Sequence, residues 1–169
     1  MGNCGELCNF VAKFEIALKG YMRFVGTIEA KVDNKGRVFL PAVLRRVIPS
    51  TEDGTNLIMR KDLFEDCLVL YTEETWQARL DELKSRLSVW NRRDQALKRR
   101  FSADAEWLTL DSNGRILLPK RYLSMAEITS EVTFIGMDDS IEIWAPHKLH
   151  QHQDSDDFAT EIEKIMSHE

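Results

Sequence analysis

From Phe24 to Asp33 hydrophobic and polar positions alternate. Phe24, Gly26, Ile28, Ala30 and Val32 fall on one side, and Val25, Thr27, Glu29, Lys31 and Asp33 on the other. A period of two predicts a half-buried strand with one charged face. Asn34-Lys35-Gly36 then reads as a turn: Asp33 can accept hydrogen bonds from backbone N–H groups, and Gly36 can take a positive φ without a Cβ clash. Arg37-Val38-Phe39-Leu40 is predicted to return as the second strand of a hairpin. Pro41 cannot donate to a sheet but suits the start of a helix, predicted over Ala42–Val47 and ending before Pro49. Two further strands are predicted near Asn56–Arg60 and Cys67–Tyr71.

The period then changes. Thr72 reads as an N-cap, with Glu73 and Glu74 in the first turn, where the helix dipole favours negative charge. Trp76, Leu80, Leu83 and Leu87 repeat at helical spacing and give a narrow apolar stripe. A second, basic helix is predicted over Arg92–Phe101. After it the opening pattern returns: VDNKGRVFLP (Val32–Pro41) is echoed by LDSNGRILLP (Leu110–Pro119), with Asp, Gly, Arg, Leu and Pro in the same order and spacing. The echo predicts a strand at Trp107–Leu110, a turn at Asp111–Arg115, a strand at Ile116–Leu118 and a helix at Pro119–Glu127. Strands at Glu131–Ile135 and Ile141–Trp144 follow, then a polar linker and a frayed helix near Glu161–Ile165. A duplicated unit of roughly 50 residues buries too little of its own surface to be stable alone, so the two copies are expected to share one core.

Composition adds little until charge is read by position. With 43% apolar residues the chain can bury a sizeable core, and no apolar run is long enough to cross a membrane. The net charge of −5 is unevenly spread. Met22–Arg46 and Lys84–Arg100 are strongly basic, whereas His150–Glu169 is strongly acidic. A basic body with an acidic tail keeps a nucleic-acid partner open. Residues 1–21 lack clear periodicity and form no secretory signal, and are expected to be an extension preceding Met22. Three cysteines, Cys4, Cys8 and Cys67, show no metal-like spacing and fit a reducing compartment, with Cys67 expected as a buried small hydrophobe.

The repeated stretch also carries a resemblance. VDNKGRVFLPAVLRR is similar to the N-terminal signature of the SpoVT/AbrB-like swapped-hairpin DNA-binding proteins. Two such units in tandem, each with D-x-x-x-R and separated by a helical insert, resemble the MraZ family of bacterial transcriptional regulators, linked to the division and cell-wall gene cluster. A lone D-x-x-G-R is a weak signal. The doubled motif with Leu-Pro after each copy, ETWQARL on the insert helix and IGMDDSIEIW near the end make the resemblance specific from Met22 to Pro146.

The resemblance implies an α+β fold: two tandem swapped-hairpin units forming one small β-barrel pseudo-dimer with peripheral helices. The chain then divides into an extension (1–21), a first unit (22–72), a helical insert (73–104), a second unit (105–147) and an acidic tail (148–169). The implied function is sequence-specific regulation through short direct repeats in double-stranded DNA upstream of that gene cluster. A ring-shaped homo-oligomer in the cytoplasm, at the nucleoid, would carry it out. No catalysis, cofactor or small-molecule substrate is expected, and the sequence contains no P-loop, dinucleotide fingerprint or G-x-S-x-G. An alternative is an antitoxin-like protein-interaction module, since some AbrB-like proteins cover a toxin with a C-terminal tail and this tail is acidic. Against it, antitoxins usually carry one barrel half per chain.

Family positions that face DNA match Lys31, Arg37, Arg45 and Arg46, and Lys35 sits at the turn tip. A basic residue often precedes the matched lysine in AbrB-like proteins, and Ala30 stands there instead. Each cation also has a plainer role open to it. Arg37 can staple the turn by pairing with Asp33, Lys35 can be a solvated turn residue, and Arg45 and Arg46 complement a helix C-terminus. Gly36, Asp111, Gly114 and Arg115 are read as structural parts of the motif. Because Lys31 and Lys35 become Thr109 and Asn113 in the second copy, Arg115 is expected at a structural or subunit contact. The run Arg92, Arg93, Lys98, Arg99, Arg100 is a solvated helix face or a contact to a neighbouring subunit. His147, His150 and His152 lack cysteine partners, and no metal site is assigned to them.

Overall fold

The two copies of the repeated stretch take the same backbone path in the computed structural model, which describes residues 23–50, 54–153 and 158–167. The expectations for residues 1–21, including Cys4 and Cys8, lie outside the described residues. The first half holds β1 (Thr27–Lys31), β2 (Arg37–Phe39), α1 (Ala42–Arg45), β3 (Asn56–Lys61) and β4 (Leu68–Thr72). The insert is α2 (Glu73–Arg86) and α3 (Arg92–Ala103). The second half holds β5 (Ala105–Thr109), β6 (Arg115–Leu117), α4 (Lys120–Met125), β7 (Glu131–Gly136) and β8 (Ser140–Trp144). Then come α5 (Pro146–Gln153), where a polar linker was expected, and α6 (Phe158–Met166).

The expected hairpins are corrected in one respect. Asp33 N–H donates to the Arg37 carbonyl at 2.9 Å and Val32 bridges Val38, but the chain then parts. β1 pairs antiparallel with β7 of the other half, from Thr27 opposite Ile135 to Lys31 opposite Glu131. β5 correspondingly pairs with β3 of the first half. The reason is length: β2 has three residues before Pro41, which lacks an N–H, so it cannot satisfy a five-residue β1. β2 instead pairs with β6 as a separate two-stranded ribbon. The larger sheet runs β1-β7-β8-β4-β3-β5, an order unchanged when the halves are exchanged. Its edges β1 and β5 do not pair with each other, so the ladder stays open.

Alternation decides what is buried. Val38 and Ile116, the central ribbon residues, are fully buried, as are Leu40, Leu118, Leu44 and Tyr122 from the stretches that follow. They join Leu57, Met59, Leu70, Phe134, Ile141 and Ile143 in one cluster drawn from both halves, so neither half closes its core without the other.

The insert is clamped by an aromatic stack. The Thr72 hydroxyl caps α2 by accepting from Thr75 N–H at 3.2 Å. Trp76 is buried, Tyr71 tilts against it with centroids 5.7 Å apart, and Phe101 of α3 stacks on it at 5.3 Å. The buried Arg60 guanidinium lies 4.2 Å from the Phe101 centroid and donates to the Phe101 carbonyl at 3.4 Å.

Candidate nucleic-acid interface

Each turn is built by one aspartate. Asp33 Oδ1 accepts from the backbone N–H of Lys35 and of Arg37, both at 2.9 Å, while Oδ2 accepts from Arg37 Nε at 2.8 Å. Asp111 repeats this with Asn113 and Arg115: two backbone bonds at 2.9 Å and one to Arg115 Nε at 2.7 Å. Gly36 and Gly114 take φ of +84° and +77°, the left-handed conformation that closes both turns. Donors converging on each carboxylate, the arginine's backbone N–H first, hold Asp33 and Asp111 below the usual aspartate range.

The Asp–Arg pair expected at the first turn is therefore present at both. In each pair the arginine uses Nε, and among the described residues its terminal nitrogens make no hydrogen bond. Each guanidinium is oriented by its aspartate yet keeps its planar edge for another partner.

The ribbon brings the two arginines together. Leu40 N–H donates to the Gly114 carbonyl at 3.0 Å and Leu118 N–H to the Gly36 carbonyl at 2.8 Å. In the antiparallel alternation this makes Arg37/Leu117 and Phe39/Arg115 non-hydrogen-bonded pairs, the kind whose side chains stand closest. The pleat turns all four outward, away from buried Val38 and Ile116.

The remaining sequence candidates disperse. Lys35 is exposed at the tip of the first turn. Arg45 does not join that turn: its guanidinium lies over Gly114 of the second, where a Cβ would run into Nη1. The equivalent position above Gly36 is taken by Leu123. Lys35 thus stands at the first turn and Arg45 at the second. Sequence reasoning missed this exchange because it follows from the halves packing on each other's turns.

Arg46 lines a different cleft of about 700 Å³ between the end of α1 and α2, beside the Arg23–Asp138 and Arg79–Asp139 ion pairs. Lys31 is exposed on β1 opposite Glu131, which offsets part of its charge. Arg92, Arg93, Arg99 and Arg100 are exposed on α3. His147 Nε2 lies 3.4 Å from Glu127 Oε2 and His150 is exposed, and no group of metal-ligating side chains occurs among the described residues. No helix among them is long and apolar enough to cross a membrane.

Similarity to known proteins places the chain in a family. A family model described as "MraZ protein, putative antitoxin-like" matches residues 23–100 and again 101–166. The chain is 51% identical over 149 residues to a transcriptional regulator MraZ of Bacteroides fragilis, covering 88% of this chain and 94% of that one. It is 47% identical to one from Bacteroides thetaiotaomicron, covering 88% and 95%. A Clostridium tetani relative of the same name is 31% identical over 85% of this chain and 96% of its own.

Proposed function

The chain belongs to the MraZ family of transcriptional regulators, and on that footing we propose that it binds double-stranded DNA through the outer face of the β2–β6 ribbon. The supporting observation is the pair of aspartate-oriented arginines, Arg37 and Arg115, on one narrow ribbon with Lys35 and Arg45 at its two turns. A two-stranded ribbon fits the major groove, and an arginine there can pair with guanine O6 and N7. Lys35 and Arg45 neutralise phosphates on either side, and Lys31 and Arg46 act at longer range. The paired exchange of β1 and β5 supports a swapped-hairpin pseudo-dimer within one chain. The targets are short direct repeats upstream of the division and cell-wall gene cluster, read by several copies in a ring.

Local charge in the sequence singles out Arg37. With Arg45 over the second turn, Arg37 and Arg115 become near equals, and both serve DNA. The test is operator affinity over a salt series with DNA from upstream of this chain's own gene, using wild type, Arg37→Ala and Arg115→Ala, each confirmed folded and checked for assembly by light scattering. Each bidentate base contact is worth about 1–3 kcal/mol of discrimination. Each lost phosphate contact lowers the salt slope by about one unit. Wild-type binding that is indifferent to salt would contradict the proposal, as would full affinity in both variants.

One observation favours a second role in protein interaction. α6 exposes Phe158, Ile162, Ile165 and Met166 along one side, flanked by Glu161 and Glu163, as an acidic amphipathic tail that grips a protein partner would.

A further inference from the structure

Charge accounts for half of the ribbon's outer face. The other half is apolar: Phe39 is 59% exposed and Leu117 53% exposed. The four side chains form a checkerboard, with Arg37 across from Leu117 and Arg115 across from Phe39. The Arg115 guanidinium carbon lies 5.7 Å from the centre of the Phe39 ring. Both apolar residues belong to the strands that mount the arginines, and the pleat that buries Val38 and Ile116 turns them outward. They therefore enter whatever groove the arginines enter.

We propose that Phe39 and Leu117 read thymine C5-methyl groups in the major groove, beside guanines held by Arg115 and Arg37. The thymine methyl is the apolar feature on the major-groove edge of a base pair, and contact with it distinguishes T·A from C·G. The spacing fits. Residues two apart on a strand are separated by about 6.6 Å, close to two base-pair steps at about 3.4 Å each. Directly opposed residues in a non-hydrogen-bonded pair stand about 4.5 Å apart. Arg37 with Leu117, and Phe39 with Arg115, therefore each address a guanine and a thymine within one or two base pairs. The β2–β6 pairing makes the two sets antiparallel, so the ribbon reads two such steps of opposite polarity. Basic residues around the patch, Lys35 and Arg45 at the turns, favour nucleic acid over a protein surface as its occupant.

This inference rests on the DNA-binding reading, and the test separates the two. The segment upstream of this chain's own gene is amplified with dTTP or with dUTP, giving duplexes that differ only in the thymine methyls. Affinities are measured for the full chain, Phe39→Ala, Phe39→Leu and Leu117→Ala, with folding checked by circular dichroism and assembly by light scattering. Wild type should bind the uracil duplex more weakly, by about fourfold for each contacted methyl buried. Phe39→Ala should bind the thymine duplex more weakly and lose most of the thymine-over-uracil ratio. Phe39→Leu should keep part of it, and Leu117→Ala should lose its own share.

Equal wild-type affinity for both duplexes would overturn the methyl readout while leaving DNA binding intact. An unchanged ratio in folded Phe39→Ala and Leu117→Ala would assign the preference to duplex shape instead. Altered assembly in those variants with an unchanged ratio would make the patch a subunit contact. No wild-type binding to either duplex would remove both readings.

Discussion

Gly36 and Gly114 occupy equivalent places in the two turns, yet alanine should cost very different amounts at them. Both take the left-handed conformation, at φ +84° and +77°, so an L-residue is strained by about 1–2 kcal/mol at either site. What differs is the space. A Cβ on Gly36 would stand 2.7 Å from the Leu118 carbonyl oxygen, backbone that is tied into the ribbon by the Leu118-to-Gly36 hydrogen bond. That oxygen can retreat only if the β2–β6 register gives way, an overpacking cost of about 1–3 kcal/mol. A Cβ on Gly114 meets the exposed Arg45 guanidinium, the far end of a flexible side chain that can swing into solvent. Gly36→Ala should therefore lose about 2–5 kcal/mol and Gly114→Ala about 1–2 kcal/mol. A chain of this size loses about 2–4 °C of melting temperature per kcal/mol, so thermal unfolding resolves the two. Equal shifts, or a larger one for Gly114→Ala, would show that the ribbon yields as easily as a surface arginine.

Two further outcomes follow from named groups. Asp33 and Asp111 are more acidic folded than the ordinary 3.8, so the stability they contribute is present in full above that value and lost as pH falls through and below it. Melting temperature measured down this acid range should fall more steeply for wild type than for an Asp33→Asn, Asp111→Asn double variant, and parallel profiles would remove the turns as the cause. Cys67 is fully buried and its thiol is pushed well above the ordinary range, first by desolvation. Peptide mapping after alkylation at mildly alkaline pH should show Cys67 modified only as the protein unfolds, and rapid labelling of the folded chain would contradict its burial.

Much of this protein is legible in the chain alone because its signals are local. The Asp-x-x-Gly-Arg turn needs a short acceptor, a residue free to take positive φ and an arginine four positions on, all within five residues, and both copies close as expected. Thr72 caps α2 for the same reason, and alternation correctly places Phe24 and Val32 inward. Partner choice is another matter. Nothing within Phe24–Leu40 says that β1 would leave β2 for β7, because that depends on how few residues remain before Pro41 and on a ladder more than ninety residues away. In sequence α5 reads as a linker because its histidines, lysine and glutamines carry little helical pattern; in the fold it packs on β7, with Leu149 buried. The candidate site divides along the same line. Its arginines and aspartates stand in the sequence, since the motif holds them together. That Arg37 and Arg115 share one ribbon, that Arg45 crosses to the second turn and that Phe39 and Leu117 face outward between the arginines were decided by the packing of one half against the other.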